Sequence, residues 1–177
     1  PEDAGETLVA DEWFRFRVRF QPDDSTFRFR RLMLKLLKRV ALIAETQGLA
    51  IVTFDDYLRM LDANLASINE GLIEFSHLLA NLMSVDGSLV VDHSFRLVGF
   101  GGEILGTSHV SDIHRALDLE AEETIIERAD SSGTRHRAAY RLVKGINPAS
   151  ALVVSQDGDV RVVACLNQKV TYWPYLP

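Results

Sequence analysis

The sequence predicts an α/β fold, with a mixed central β-sheet that carries helices on both faces. Segments with the hydrophobic period of a helix alternate along the chain with short segments that have the period of a strand. Several neighbouring strand segments are joined by short turns, which favours antiparallel hairpins beside any parallel crossovers. The length of 177 residues suits one domain with an appended segment. These observations define the fold class and leave the strand order open.

The N-terminal part is predicted to be an accessory segment made of a strand and a basic helix. Pro1 to Asp11 is acidic and rich in small residues, as in a frayed tail. Aromatic or β-branched residues then alternate with arginines, which indicates a half-buried strand; they are Phe14, Arg15, Phe16, Arg17, Val18, Arg19 and Phe20. A helix follows from about Phe27 to Thr46, with Gly48 at its C-cap position. We therefore divide the chain into an accessory segment or linker, residues 1–47, and a main domain, residues 48–177.

The start of the main domain is predicted to hold a strand and then a long helical stretch. Leu49 to Phe54 is an apolar run short enough for a buried strand. Asp55 or Asp56 caps the helical stretch, which runs in one or two pieces to about Leu82. Gly71 is the expected place for a break within that stretch, because glycine weakens a helix interior.

A hairpin, a loop and a short helix are expected next. Ser88 to Asp92 and Phe95 to Phe100 have strand character and are separated by a short turn. Gly99 to Ser108 contains four glycines and is predicted to be a loop. Ser111 to Leu119 is predicted as a short helix, and the sequence leaves Glu122 to Arg128 undecided between helix and strand.

The C-terminal part is predicted to form a helix followed by a β-hairpin. The helix runs from about Thr134 to Lys144, and the Asn147-Pro148 pair ends it. The strands are Ala151 to Ser155 and Val160 to Leu166, and the turn Gln156-Asp157-Gly158-Asp159 links them.

Composition and charge exclude several classes of protein. Hydrophobic residues make up 47% and charged residues 25% of the chain, which is typical of a soluble globular protein. The net charge of -6 argues against nonspecific binding of nucleic acid, since that binding depends on neutralising phosphates with cations. A single cysteine, Cys165, excludes an internal disulfide and fits a reducing, cytoplasmic location. No apolar run reaches the roughly 18 residues of a membrane span, so we expect no membrane contact. The opening without methionine suggests a fragment of a longer protein, with a further domain attached.

The stretch that begins the C-terminal helix carries the strongest functional signal. Gly133 permits a close backbone approach, and Thr134 adds a hydroxyl group. The free N–H groups of a starting helix favour an anionic ligand. Arg135, His136 and Arg137 place up to three cationic side chains in the first turn, where positive charge opposes the helix macrodipole. A bound polyphosphate would reverse that penalty; the alternative is a capped helix with a solvated basic first turn.

The second signal is Asp86-Gly87-Ser88, which stands directly before a predicted strand. On its own, an aspartate-glycine pair at this place is usually only a turn. A carboxylate at the edge of a strand can also hold Mg²⁺ or Mn²⁺ through oxygen, and polyphosphate chemistry uses such a metal. The pair alone does not decide between the two interpretations.

Together the two motifs resemble the paired signatures of bacterial diadenylate cyclase domains, Asp-Gly-Ala and Gly-Thr-Arg-His-Arg. Here the corresponding residues are Asp86-Gly87-Ser88 and Gly133-Thr134-Arg135-His136-Arg137. The resemblance extends from about Gly48 to Leu166 and implies the diadenylate-cyclase-like version of the α/β fold. It also implies that the loop Gly101-Gly102-Glu103-Ile104-Leu105 contacts adenine, and that the hairpin carrying Ser155 closes the nucleotide site.

What the resemblance implies is an enzyme that binds ATP and condenses two molecules into cyclic di-AMP, releasing pyrophosphate. Two protomers would face each other, so that each 3′-hydroxyl attacks the α-phosphate held by the other. Asp86 would hold Mg²⁺ or Mn²⁺ or orient the hydroxyl, while Arg135, His136 and Arg137 would bind the phosphates and stabilise the departing pyrophosphate. The nucleotide contacts implied in the same way are Gly87, Ser88, Gly101, Ile104, Gly133, Thr134, Arg135, His136, Arg137 and Ser155.

Three departures from the family pattern keep an alternative open. Ser88 stands where the family has alanine, and Val85 stands where its membrane-linked members have histidine. Gln156-Asp157 stands where some members carry paired glutamates. The alternative is a module that binds the nucleotide without turnover and signals to an attached domain.

Overall fold

The computed structural model describes residues 12–155 and 158–175, which form a mixed α/β fold with two sheets and four α-helices. The chain divides into two compact units. We call Arg15–Glu103 the helical unit, and Ile104–Pro177 together with Pro1–Phe14 the sheet unit. The α/β class predicted from the sequence is confirmed. A single central sheet was the wrong expectation, because the strands are divided between two sheets.

The helical unit contains three α-helices: α1, Arg28–Gln47; α2, Phe54–Arg59; and α3, Ala63–Met83. The prediction of a basic helix ending at Gly48 is confirmed, since Gly48 has φ 68° and its N–H donates to the carbonyls of the last turn. The helical stretch after it has two pieces, as one version of the prediction allowed. None of the described helices is both long and apolar enough to span a bilayer.

The break between α2 and α3 lies at residues 60–62, and Gly71 is inside an unbroken helix. A Cβ atom on Gly71 would lie 3.1 Å from Leu32 Cδ2, so the missing side chain brings α1 and α3 together. This glycine therefore serves helix packing and does not end a helix.

The predicted strand from Leu49 to Phe54 is wrong. This segment pairs with no described strand, and Ile51 is 79% exposed. Thr53 begins α2 instead: its hydroxyl accepts from the N–H of Asp56, whose carboxylate accepts from the N–H of Thr53. This capping box satisfies backbone donors that a strand would have used in a ladder. Thr53 is thus the cap, and Asp56 is its reciprocal partner.

The four-stranded sheet is built around β4, Leu97–Ile104. Its neighbours are β1, Phe14–Arg15; β2, Val18–Arg19; and β3, Ser88–Val91. The predicted arginine-aromatic strand is therefore two short strands. Gly101 opposite it has φ 62°, and a Cβ there would lie 3.0 Å from the Cβ of Arg17. This irregularity in β4 interrupts the ladder at the point where the partner strand breaks.

The loop predicted from Gly99 to Ser108 begins only after Ile104. A Cβ atom on Gly99 would lie 2.7 Å from the carbonyl oxygen of Val18 and 2.7 Å from Phe16 Cδ1. Glycine here allows a neighbouring strand to approach closely. The loop was predicted from the same glycines, because glycine is also common in loops.

The sheet unit holds a five-stranded mixed sheet in the order β6-β5-β9-β8-β7. The strands are β5, Asp112–Ala116; β6, Thr124–Arg128; β7, Ser150–Val154; β8, Val160–Leu166; and β9, Lys169–Tyr175. Only the β5–β9 pair is parallel. The fourth helix, α4, Thr134–Gly145, packs against β7, β8 and β9. Its side chains Tyr140 and Val143 are fully buried with Ile113 and Val163 in the core of the unit.

The predicted helix from Ser111 to Leu119 is wrong, because this segment forms β5. Ile113 is fully buried from β5, and five residues of β5 pair with β6. The strand β6 also settles the segment that the sequence left undecided. The predicted α4 and the β7–β8 hairpin are confirmed, and residues 156 and 157 of the predicted turn lie outside the described residues. The predicted N-terminal tail, residues 1–11, lies outside them as well. The boundary proposed between residues 47 and 48 stays a prediction.

Candidate functional site

The first turn of α4 presents backbone donors that no side chain caps. Gly133 is the N-cap residue and supplies no side-chain acceptor. The first hydrogen bond inside the helix runs from the N–H of Arg137 to the carbonyl of Gly133 at 3.0 Å. The N–H groups of Thr134, Arg135 and His136 precede that bond and have no carbonyl within the helix to bind. This end of α4 therefore has the amide arrangement that binds anions.

Two arginines on the same turn face solvent. Arg135 and Arg137 are both exposed. Arg137 donates weakly to the hydroxyl of Thr134, with an Nη2–Oγ1 distance of 3.5 Å. Among the described residues, neither arginine has a carboxylate partner within ion-pair distance. Their charges are thus available at a helix end where the macrodipole disfavours them.

His136, between the two arginines, points into the protein. Its side chain is only 9% exposed, and Nε2 lies 4.0 Å from Oδ2 of Asp159, which is too far for a hydrogen bond. Within the described part of the chain Nε2 has no hydrogen-bond partner. Burial, followed by the positive charge of Arg161, lowers the pKa of His136, and the carboxylate of Asp159 offsets this only in part. Burial and Arg161 therefore favour the neutral imidazole.

Asp159 is held in place by its neighbours in the β7–β8 turn and on β8. Its N–H donates to Oγ of Ser155 at 3.1 Å, and its carbonyl accepts from the N–H of Ser155 at 2.8 Å. Its carboxylate accepts from Nε of Arg161 at 2.7 Å. Ser155 therefore bonds to Asp159, whose carboxylate faces His136 across 4.0 Å without a hydrogen bond.

Arg161 is enclosed by two tyrosines. Its Nη1 donates to Oη of Tyr140 at 3.3 Å, and its guanidinium carbon lies 4.6 Å from the centre of the Tyr172 ring. Burial opposes the charge of Arg161, but its hydrogen bonds to Asp159 and Tyr140 outweigh burial and raise its pKa. Tyr172 donates in turn to Glu127 at 2.9 Å, and burial, followed by this carboxylate, raises the pKa of Tyr172 to about 12. Arg161 is thus a fixed cation beneath α4.

The second predicted motif lies in the helical unit. Asp86 is exposed in the bend between α3 and β3. Gly87 has φ 113°, and a Cβ atom there would lie 2.6 Å from the carbonyl carbon of Gly101. The hydroxyl of Ser88 donates to the carbonyl of Gly102 at 2.8 Å. Gly87 and Ser88 therefore pack directly against the backbone of β4 at Gly101 and Gly102, and only glycine fits at position 87.

The sequence-predicted residues therefore form two groups in the two units. Gly133, Thr134, Arg135, His136, Arg137 and Ser155 belong to the sheet unit, as does Ile104 at the end of β4. Asp86, Gly87, Ser88 and Gly101 belong to the helical unit.

A metal held by Asp86 would need further ligands from a bound nucleotide. The described residues contain no group of three or more histidine, cysteine or acidic side chains that could hold a metal by themselves. Mg²⁺ at nucleotide sites is usually held by one or two carboxylates together with the phosphates of the substrate. Asp86 offers one exposed carboxylate, whereas the hydroxyl of Ser88 already donates to a carbonyl.

The sequence did not predict that Asp159, Arg161 and Tyr140 lie beside the motif of residues 133–137. A signal for each was present. Asp159 and Arg161 are two residues apart where a strand begins, which places them on one face. Tyr140 follows His136 by one helical turn and therefore lies on the same side of α4.

Comparison of the chain with models of protein families, with curated proteins and with solved structures gives no match.

Proposed function

We propose that the chain binds ATP with its polyphosphate at the N-terminus of α4 and condenses two ATP molecules into cyclic di-AMP. The two exposed arginines on an uncapped first turn support this most strongly. The choice of ATP as the nucleotide and of condensation as the reaction rests on the resemblance of both motifs to those of diadenylate cyclase domains. Since ATP is the substrate, the activity belongs in the cytoplasm.

The charge on the first turn of α4 supports a polyanionic ligand. A cation at a helix N-terminus costs a few tenths of a kcal/mol or more, and this turn carries two. A polyphosphate would accept hydrogen bonds from the uncapped N–H groups and from both guanidinium groups, and bonds of this kind to charged groups are the strong ones. The ligand would therefore turn an unfavourable arrangement into a favourable one.

In the proposed reaction two phosphodiester bonds form and two pyrophosphates leave. Each ATP would give its 3′-hydroxyl to the α-phosphate of the other, so two protomers would face each other. Arg135 and Arg137 would neutralise the charge that develops on the departing pyrophosphate. Asp86 would hold Mg²⁺ or Mn²⁺, which supplies further neutralisation of phosphate charge when bound.

Titration calorimetry with ATP, in the absence of metal, tests the binding site. Arg135→Ala and Arg137→Ala should each weaken ATP binding by about 1.5–3 kcal/mol, roughly 10- to 150-fold, the scale of a hydrogen bond to a charged group. Thermal stability should be unchanged or slightly higher, because an unfavourable charge leaves the helix N-terminus. Lys169→Ala is the matched control: it removes one exposed cation near the opposite end of α4, where Lys144 contacts the carbonyl of Gln168. Unchanged ATP affinity in both arginine variants would refute the site.

One observation favours the alternative of a nucleotide sensor that signals to an attached domain. Asp159, the described carboxylate beside His136, is already engaged by Arg161 at 2.7 Å. This arrangement suits binding of phosphate without a metal at this end of the site. Incubation with ATP and Mn²⁺ or Mg²⁺, followed by mass detection of cyclic di-AMP, separates the two proposals. ATP binding without product would favour the sensor.

A further inference from the structure

The group beneath the first turn of α4 contains one unsatisfied atom. His136 Nε2 is buried and faces Asp159 across 4.0 Å, while the carboxylate of Asp159 is shared with Arg161. A buried imidazole nitrogen without a partner is unusual, because most buried polar atoms form a hydrogen bond. The same histidine contributes one of the uncapped N–H groups at the proposed phosphate site.

We propose that binding of the nucleotide is coupled to uptake of one proton by His136, with Asp159 as the acceptor of the N–H that results. Asp159 and Arg161 are then positioning residues for the nucleotide site. This inference rests on the proposed function, because the nucleotide phosphates provide the negative charge that drives the uptake.

The geometry accommodates the protonated state with a small movement. A neutral imidazole carries one proton on one of its two nitrogens, whereas the charged form carries a proton on both. Protonation therefore always places an N–H on Nε2, facing Oδ2 of Asp159. Closing the distance from 4.0 Å to a charge-assisted hydrogen bond of about 2.8 Å needs a shift of roughly 1 Å. Rotation of the side chain about its χ1 and χ2 bonds can produce such a shift without movement of the helix.

The surroundings of His136 favour the neutral imidazole before the ligand binds. The side chain meets Arg161 from β8, Asp159 from the turn before β8, and Tyr140 from its own helix, whose ring centre is 6.4 Å away. Arg135 and Arg137 flank it on the first turn, and the macrodipole adds positive potential there. Burial and Arg161 lower the pKa of the imidazole, and Asp159 compensates only in part.

The nucleotide changes that balance. Polyphosphate at the uncapped N–H groups would neutralise Arg135, Arg137 and the end of the helix dipole. The added negative charge would act together with Asp159 against burial and Arg161, so the pKa of His136 would rise in the complex. A group that binds its proton more tightly in the complex makes ligand affinity fall as pH rises between the free and bound pKa values.

Histidine NMR on the wild-type chain, with and without saturating metal-free ATP, measures the coupling directly. The signal of His136, assigned by its loss in His136→Gln, should titrate below the usual 6.5 in the free chain and at least one pH unit higher in the complex. Calorimetry in two buffers with different ionisation enthalpies should count up to one proton taken up per ATP near pH 6.5.

Two variants identify the residues responsible. In His136→Gln the fall of ATP affinity with rising pH that His136 causes, at most tenfold per pH unit for one proton, should be lost. Asp159→Asn should reduce proton uptake, whereas Asp130→Asn should not, because Asp130 is an exposed carboxylate of the same unit paired with Arg128.

The outcomes separate the two proposals. If ATP binds and the pKa of His136 is the same in the free and bound chain, the coupling is refuted and the nucleotide site stands. Uptake that persists unchanged in Asp159→Asn refutes the role of Asp159. If ATP does not bind at all, both the coupling and the proposed function fail.

Discussion

Asp62 is the carboxylate with the clearest structural role in the helical unit, because one side chain holds two elements. Oδ1 accepts from the N–H of Leu65 at 2.8 Å and so caps α3. Both carboxylate oxygens also accept from the guanidinium of Arg39 on α1, a two-point contact. The hydrogen bonds from Arg39 and then from Leu65 lower the pKa of Asp62 to about 2.

Asp62→Asn should lower the melting temperature by at most a few degrees at pH 7. Only the ion pair with Arg39 is lost, because asparagine is also a good N-cap. The folded pKa lies below the ordinary value of 3.8, so the contribution of Asp62 is complete above that pH and disappears as pH falls through about 2. The difference in melting temperature between wild type and variant should therefore shrink as pH falls from about 4 to about 2. Asp24→Asn, at a fully exposed carboxylate 3.9 Å from Arg31, is the control and should change little. A difference that stays constant over this pH range would show that the ion pair does not stabilise the fold.

For individual residues, the sequence predicted which side chains are charged but not which side chains they contact. Arg39 and Asp62 are 23 positions apart, and no local pattern connects them. His136 was predicted as a third cation of the first turn, and only the fold shows that it is buried against Asp159. Partners that are far apart in sequence are determined by packing, which a single sequence does not display.

Among the elements, α4 is fixed at its C-terminal end by Trp13. A Cβ atom on Gly145 would lie 1.9 Å from Trp13 Cη2, and one on Gly106 would lie 1.9 Å from Trp13 Cζ3. The indole therefore occupies the space that both glycines leave. The N–H of Leu105 donates to the carbonyl of Trp13 at 2.9 Å, which holds the backbone at the same place.

Gly145→Ala should destabilise the protein, although alanine is normally favoured over glycine in a helix by about 1 kcal/mol. The new methyl group would overlap the indole and displace it. A double-mutant cycle with Trp13→Ala, measured by denaturant unfolding, isolates this contact. In the Trp13→Ala background the alanine should be neutral or stabilising. A stabilising effect of Gly145→Ala in the wild-type background would contradict the packing of Trp13 described here.

Helices with a long hydrophobic period and short strands bounded by turns were predicted well, whereas two short segments without such signals were not. The helices α1 and α4 have a sustained period and end at Gly48 or before Asn147-Pro148. The run Leu49 to Phe54 is apolar but short, and a capping box at Thr53 decided its structure. β5 was assigned to a helix because five residues carry too little periodicity to separate the two structures.

For the whole molecule, the proposed reaction has a consequence for kinetics. One site holds one ATP while the product contains two, so a single protomer cannot complete the reaction. The two predicted motifs lie in different units of the chain, and the family resemblance assigns both to the same reaction.

The two motifs were found in the sequence by their resemblance to the family. The division of the chain into these units was not predicted, since no local pattern marks a boundary at residues 14 or 103.

Product formation should rise more steeply than linearly with protein concentration, and should approach second order when dimers are scarce. Asp86→Asn should abolish turnover and leave metal-free ATP binding intact, because the amide is a poor metal ligand. Mixing this variant with wild type should lower activity by more than simple dilution. Rates strictly proportional to protein concentration, in a sample that light scattering shows to be monomeric, would exclude the face-to-face reaction.

The proposal that nucleotide phosphates bind at the N-terminus of α4 is tested most directly by amide NMR of the ¹⁵N-labelled chain. As metal-free ATP is added, the backbone amide signals of Thr134, Arg135 and His136 should shift further than those at the C-terminal end of the same helix, and Arg137→Ala should require a higher ATP concentration for the same shift. If ATP reaches saturation while these three amides stay in place, the phosphates bind elsewhere and the proposed site is wrong.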